Sequence, residues 1–403
     1  MVVKIAFRNI FRQKRRTLLT TLTMFGGFVL CSFSIAFMDG SYNNVINMFT
    51  RNQLGHIQIH HHEYTDRPAL YRTIDNYEEV GRALDGIERV EAWVPRVFSA
   101  GLASVGNKSA GVRIIGVDPV RETVATRFDK KIVEGKGFSS EPAYEALLGK
   151  GLAKRMGANI GGEIVIVSQG ADGSVANDLY TIKGILDSGN EMEDQMSLYL
   201  HLADAQELLV LEGRVHQIAI VSNNVRGLYR LSDSIAAAVA RPELTVEPWQ
   251  EFAKSFYDAM KADQKGNWIS LVVITMLVAI GVLNTVLMTV LERTREYGLM
   301  RAIGTRPRQV FGLVIVEVFE MALLSVAAGF IAAYALNYAF SIAGIPIPPV
   351  EYGGVTFKEM FTEINTRSFS IPLLSVVASA VFISVFPALK AARTQPAAAM
   401  RYH

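Results

Sequence analysis

LERTREYGLMRAIGTRPRQV, residues 291–310, is a basic island between two long apolar runs at 268–290 and 311–340. It carries Arg293, Arg295, Arg301, Arg306 and Arg308 against two acids, Glu292 and Glu296. Lys and Arg bias the loops that hold them toward the cytoplasm, so a loop this basic between two spans belongs on the cytoplasmic side. The spacing also predicts a short helix. Leu299, Met300 and Ile303 fall at i, i+1 and i+4 as an apolar patch, charges cover the remaining surface, and Gly304 supplies a C-terminal stop. Two roles fit this segment: a solvated loop that sets topology, or a docking element for a cytoplasmic partner.

Working outward, the apolar runs recur at both ends of the 403-residue chain, while the middle reads as ordinary soluble protein. Residues 1–16 read either as a basic amphipathic approach helix, with Ile5, Phe7, Ile10 and Phe11 opposed to Lys4, Arg8, Arg12 and Arg15, or as a basic flank that only fixes topology. Residues 17–38 run for 22 positions without a charge, enough to cross a hydrocarbon core of roughly 30 Å at about 1.5 Å per residue. That run is longer than a secretory h-region and ends in Phe37-Met38-Asp39-Gly40, without a small-x-small cleavage pattern, so a retained span is expected. Gly26-Gly27 within it permits a close helix contact or a flexible spot. Residues 268–291, 310–342 and 369–389 are the other three spans. The basic segments 1–16, 292–309 and 390–403 all fall on one side, which makes a four-span topology with both termini inside self-consistent.

Residues 39–267 contain no span-length apolar run and are expected as one outer α/β domain, inserted between the first two spans. Helical extensions at 42–53 and 252–267 would form a stalk. Strands are expected at 54–64, 91–97, 101–105, 110–117, 164–167, 179–185, 216–222 and 245–247, and helices at 77–84, 145–157, 203–211 and 228–240. The linker 343–368, with Pro346, Pro348 and Pro349, reads as an outer loop. The third span carries Glu317 and Glu320. Acids inside a span are rare and usually face protein or water, and their nearness to the cytoplasmic end favours a packing role over a proton relay.

The chemistry that is missing narrows the function. Gly135-Lys136-Gly137 and Gly149-Lys150-Gly151 lack the spacing and the hydroxyl of a phosphate-binding loop. No HExxH, CxxC or GxSxG occurs, and Ser168, Ser174 and Ser188 read as loop residues. The single cysteine, Cys31, excludes an intramolecular disulfide. A net charge of +2 gives no case for nucleic acid. His56, His60 and His62 would share one face of a strand, but no second cluster completes a ligand set, so no metal site is assigned. No catalytic or cofactor-binding residue is expected.

Four co-linear segments then carry a resemblance. Residues 291–310 resemble the ERTREIGxxRAxGA-type signature of the FtsX-like, MacB-type family of ABC transporter permeases. KIAFRNIFRQKRRTLLTTLT (4–23) looks like that family's basic entrance helix, VFEMALLSVAAGF (318–330) like its third span, and PALKAARTQPAAAMR (387–401) like its closing motif. LLGKGLAKRMGANIGGEIVIV and LYLHLADAQELL resemble its periplasmic domain. The family's frequent Gly-Gly of span three reads Ala328-Gly329 here. The resemblance, nearest to the lipoprotein-releasing LolC and LolE branch, implies a half-transporter of a bacterial inner membrane. Two copies, or one copy and a paralogue, would pair with a cytoplasmic ABC ATPase dimer that binds the ATP and Mg. It implies a coupling helix within 292–309, contributed by Glu292, Arg293, Arg295, Glu296, Gly298, Leu299, Met300, Arg301, Ile303 and Gly304. It also implies a porter-like part (54–132 and 214–248) with an inserted part (133–212).

The function so implied is mechanotransmission: motion of the ATPase passes to the periplasmic domain, which extracts lipoproteins or other lipidated cargo from the membrane. Two other readings fit the same family. One is an efflux permease working with a periplasmic adaptor and an outer-membrane duct. The other is mechanical signalling to a cell-wall hydrolase, as in FtsX proper, whose outer domain is usually smaller.

Overall fold

The computed structural model describes residues 14–225, 227–352 and 355–394. The approach helix expected at 1–16 therefore lies largely outside the described residues, and the closing motif lies within them only as far as residue 394. The chain divides into two compact units. One comprises residues 1–44, 260–347 and 359–403, and the other residues 45–259 and 348–358.

Among the described residues, four helices are long and apolar enough to cross a membrane: Lys14–Phe49, Lys254–Glu292, Pro307–Ala343 and Arg367–Ala392. Each exceeds the apolar run that predicted it, because helix geometry continues into flanking polar residues that hydropathy does not count. In the first unit their packing follows rows of i+4 neighbours. Val278, Val282, Val286 and Val290 form one such row, and Val310, Val314, Val318, Ala322 and Val326 another. Met24 and Phe28 of the first long helix join them, both fully buried. Gly27 lies against the second long helix: a Cβ there would be 2.4 Å from Cγ2 of Val278, so only glycine fits. Gly26 meets nothing within 4 Å. Gly329 passes Phe28 with similar closeness, 2.9 Å to Cδ1, so the single glycine of Ala328-Gly329 suffices for contact there.

The second unit is built on a ten-stranded sheet. Its strands, with those outside the sheet, are β1 (Ile57–His61), β2 (Ile74–Asp75), β3 (Val90–Val105), β4 (Lys108–Val117), β5 (Ile132–Gly135), β6 (Glu145–Gly149), β7 (Glu163–Gln169), β8 (Val175–Leu186), β9 (Ser197–His201), β10 (Arg214–Val215), β11 (Gln217–Ser222) and β12 (Leu244–Pro248). The order is β12-β1-β11-β3-β4-β9-β6-β8-β5, with β7 pairing to β3 and β8. β4–β9 and β6–β8 are parallel, and the other pairs within this sheet are antiparallel. β11, QIAIVS, is buried at every position, as a strand covered on both faces should be. β7, EIVIVSQ, begins with strict alternation of exposed and buried residues, the pattern of a sheet with one face in solvent. The sheet runs without a break through the porter-like and the inserted segments.

Three expectations change. The helix read over 145–157 is a strand, β6, followed by a shorter helix at Lys150–Met156. Glu-Ala-Leu-Leu-Gly is buried throughout between β8 and β9, and a short apolar run covered on both sides has no periodicity to tell strand from helix. The strands read at 91–97 and 101–105 are one, β3. Pro95 is tolerated in it because β4 pairs only from Arg96 onward, so the missing N–H deprives no ladder there. Finally, the linker after the third long helix is not wholly irregular. It contains β13 (Ile345–Tyr352) and β14 (Val355–Met360), which form a two-stranded sheet. The residues that follow are strapped to the first and third long helices. Glu363 N donates to Ala36 O at 2.9 Å, Thr362 Oγ1 to Asn337 O at 2.6 Å, and Asn365 Nδ2 to Asp39 at 2.9 Å.

The stalk segments touch in both units. In the first, Asn267 Nδ2 donates to Tyr42 Oη at 2.9 Å. In the second, the rings of Phe49 and Phe256 stack with centroids 3.9 Å apart, and Trp249 meets Phe256 edge-on.

Candidate functional site

The island that opened the sequence reading folds as a short helix, Thr294–Ala302, between the second and third long helices. Arg293 is the joint between the two helices. Its backbone still donates to Thr289 O, but its side chain turns inward and is buried. Nη1 lies 3.0 Å from both carboxylate oxygens of Glu317, and Nε donates to Glu296 at 2.9 Å. The guanidinium carbon also sits 5.4 Å from the centroid of the buried Tyr297 ring. A buried cation must be paired to persist, and Arg293 meets that condition with two carboxylates and an aromatic face. Glu317 thus joins the third long helix to the start of the short one. Glu320, one turn on, is used differently: Oε2 is buried and makes no hydrogen bond among the described residues.

The apolar patch of the sequence reading divides. Leu299 and Ile303, four residues apart, are 58% and 78% exposed, whereas Met300 packs against the core of the helical unit. Adjacent helix positions differ by about 100°, so 299 and 300 cannot share a face as 299 and 303 do. Gly298 is buried, while Glu292 and Arg295 are exposed. Arg301 Nη1 donates to Thr305 O at 3.1 Å, closing the segment's C-terminal end. Gly304 holds φ at +98° with open space around it, a conformation that other residues resist for backbone reasons alone. The outward surface is therefore two exposed aliphatic side chains on a rigidly pinned helix, ringed by charge. The sequence missed the Arg293–Glu317 pair, whose members are 24 positions apart; the only signal was an arginine and an acid each near a span's cytoplasmic end.

The α/β unit holds a cavity of about 840 Å³. Arg96 and Glu122 close one wall, with Nε–Oε1 at 2.6 Å and Nη2–Oε2 at 3.2 Å. Burial opposes the charge on Glu122, yet the Arg96 guanidinium and the Thr126 hydroxyl hold its carboxyl below the usual range. His216 stands in another wall. Its Nδ1 accepts from Phe98 N at 3.0 Å, so Nε2 carries the proton and donates to Leu70 O at 3.2 Å. Burial lowers its pKa to about 4, in keeping with a neutral ring.

The histidines singled out from the sequence do not form one ligand set. His56 precedes β1 and is buried, with Nδ1 accepting from Ser222 N at 2.9 Å. His60 is buried in β1 and lies 3.3 Å from Glu247, and His62 lies beyond the strand in a turn. The strand ends one residue too early for 56, 60 and 62 to share a face. His61, His62 and Glu63 do come within 4.8 Å of one another, but the Glu63 carboxylate is already bound to Arg72 at 2.7 Å.

Comparison with known proteins places this geometry. Residues 17–241 match the MacB-like periplasmic core domain, and residues 268–396 match the FtsX-like permease C-terminal domain. The lipoprotein-releasing system transmembrane protein LolC of Neisseria meningitidis is 21% identical over 344 residues, 82% of each chain. The macrolide export ATP-binding/permease protein MacB of Campylobacter jejuni is 23% identical over 98% of this chain, which spans 60% of that protein. Among solved structures, the periplasmic region of MacB from Actinobacillus actinomycetemcomitans aligns with 50% of this chain and 92% of its own, at 13% identity and a TM-score of 0.38. With one domain of the pair matching more than half of its length and the other most of the remainder, the chain belongs to the FtsX-like, MacB-type family of ABC transporter permeases.

Proposed function

We propose that this permease takes up the motion of a separate cytoplasmic ABC ATPase through the helix Thr294–Ala302 and passes it to its outer α/β unit, which draws lipoproteins or other lipidated cargo out of the membrane. The observation that carries this reading is the pairing of exposed Leu299 and Ile303 with the buried Arg293–Glu317 bond. Exposed aliphatic side chains on a helix favour a partner. A push on that helix is delivered to the third long helix through Glu317 rather than lost in a slack loop. The long helices carry apolar side chains outward, among them Ile269, Val272, Met276 and Leu277, which suits contact with lipid. Arg-rich residues 291–310 then lie inside, both termini with them, and the α/β unit lies in the periplasm of a bacterial inner membrane.

Lipoprotein release is favoured over efflux because the match to LolC runs along 82% of both chains. Reconstitution tests it. The permease, its ATPase and a second permease copy or paralogue, placed in proteoliposomes with a tri-acylated lipoprotein, should release that lipoprotein to a soluble acceptor only with ATP. ATP-driven export of a macrolide without lipoprotein release would transfer the assignment to the efflux reading.

A further inference from the structure

The strand register builds the floor of the α/β cavity as two neighbouring rows. His60, Gln217 and Arg96 are cross-strand partners on β1, β11 and β3, and directly opposed side chains share one face of a sheet. Two positions along β3, Phe98 pairs with Ile115 of β4, and Ile115 pairs with Tyr199 of β9. Side chains two apart on a strand point the same way, so the polar and apolar rows lie side by side. All six residues line the cavity. Phe128 meets Tyr199 edge-on at 5.5 Å and carries the apolar row up the wall.

The charges around these rows are spent on one another. Arg96 donates to both carboxylate oxygens of Glu122 and to Gln53 O. Arg113 lies 3.8 Å from Glu193, and His60 meets Glu247 at 3.3 Å. Glu122, Glu193 and Asp194 all act on Lys131. A charged guest would give up its water here and find every opposite charge already engaged, which is costly. One neutral group of the polar row is left unspent. Gln217 is only 6% exposed, and its buried Nε2 makes no hydrogen bond among the described residues. A buried donor is expensive to leave unmet, and the soft terminal torsion of a glutamine lets it turn toward an acceptor in the cavity.

We propose that this cavity binds an uncharged ring compound bearing a carbonyl group, its rings against Ile115, Tyr199 and Phe128 and its carbonyl oxygen accepting from Gln217. A cavity of about 840 Å³ lies within the usual range for small-molecule sites, and apolar walls with a few placed polar groups are their usual lining. The site goes beyond the transport reading and does not depend on it, since neither the ATPase nor the helix Thr294–Ala302 takes part.

The test uses the full chain in lipid nanodiscs and three photoreactive benzophenones of similar shape: neutral 4-benzoylbenzamide, anionic 4-benzoylbenzoate and cationic 4-(aminomethyl)benzophenone. Attachment sites mapped by mass spectrometry after irradiation separate cavity binding from partition into lipid. The amide should label the cavity wall saturably, with half-saturation at a concentration about tenfold or more below that of either ion. Ala69→Trp, which fills the cavity from a loop in its wall, should abolish that labelling. Gln217→Met should raise the half-saturating amide concentration about fivefold or more while keeping or raising the thermal midpoint, so it decides the matter if the tryptophan variant folds poorly. Labelling of the wall by either ion as readily as by the amide, no saturable labelling by the amide, or amide labelling undiminished by Gln217→Met would each overturn the proposal.

Discussion

Nη1 of Arg293 and the two carboxylate oxygens of Glu317 lie 3.0 Å apart, and this contact bridges the turn between the second and third long helices. Both side chains are at most 10% exposed, so the pair behaves as a buried one. Removing Glu317 leaves the buried Arg293 with Glu296 alone, a more exposed partner at 2.9 Å, and breaking a buried pair costs up to about 3–5 kcal/mol, whereas replacing both partners with apolar residues is often neutral or stabilising. Glu317→Gln should therefore lower the thermal midpoint of the purified protein sharply. The Arg293→Met/Glu317→Met double variant should recover most of that loss. If the double variant is as unstable as the single, the pair is not what pins the turn.

The C-terminal end of the short helix depends on Gly304 at φ +98°. Gly304→Ala meets no neighbouring atom, so its cost, about 1 kcal/mol or somewhat more, is backbone strain alone. Combined with Arg301→Ala, which removes the bond to Thr305 O, it should uncouple the ATPase without removing the permease from the membrane. Membrane fractionation together with ATPase stimulation checks this. Normal stimulation in the double variant would count against a docking role for this end of the segment.

In the α/β unit, Phe49 and Phe256 stack at 3.9 Å. Cysteines at these two positions, in a background with Cys31 replaced by Ser, should be joined readily by a short bismaleimide. Transport with and without the link then reads whether the helices must part. Absence of any link in every nucleotide state would show that the two helices do not stay paired here.

Acid should weaken the α/β unit. His56 and His216 are buried acceptors of backbone N–H groups, and burial lowers the pKa of each from 6.5 to about 4. Between those values the unfolded chain binds more protons than the folded one. Their contribution is thus complete above pH 6.5 and is lost as the pH falls through about 4, on the order of 3 kcal/mol for each ring. Asp194 and Asp204 oppose this, since burial raises both carboxyls, that of Asp194 to about 6, and favours the folded state toward acid, whereas Glu122 and Glu145, held low by Arg96 and Lys183 against the cost of burial, act with the histidines. The protection factors of the β11 amides, taken relative to the intrinsic exchange rate at each pH, should be lower at pH 4.5 than at pH 7.5. Equal protection at both values would contradict the buried neutral rings.

Legibility followed the physics of each signal. The long helices were plain because an uncharged run of span length has few other uses, and β7 was readable from its alternation. β6 was not, since Glu-Ala-Leu-Leu-Gly is covered on both faces and carries no period. β9, Ser-Leu-Tyr-Leu-His, escaped for the same reason, being buried over four of its five residues. For the short helix, composition gave its existence and its exposed Leu299 and Ile303, but not the inward turn of Met300 and Arg293, which only the packed partner helices determine. The cavity lay beyond any reading of one strand or helix, because Arg96, Arg113, Lys131 and Gln217 converge from separate stretches of chain.

The proposed function turns on Leu299 and Ile303 facing a cytoplasmic ATPase. A photo-crosslinking amino acid placed at Ile303, at Leu299 and, as a control, at exposed Val165 of the α/β unit would test it in living cells, with adducts identified by mass spectrometry. An ABC ATPase adduct is expected from 303 and 299 and none from 165. No ATPase adduct from either helix position, or equal yield from Val165, would contradict it.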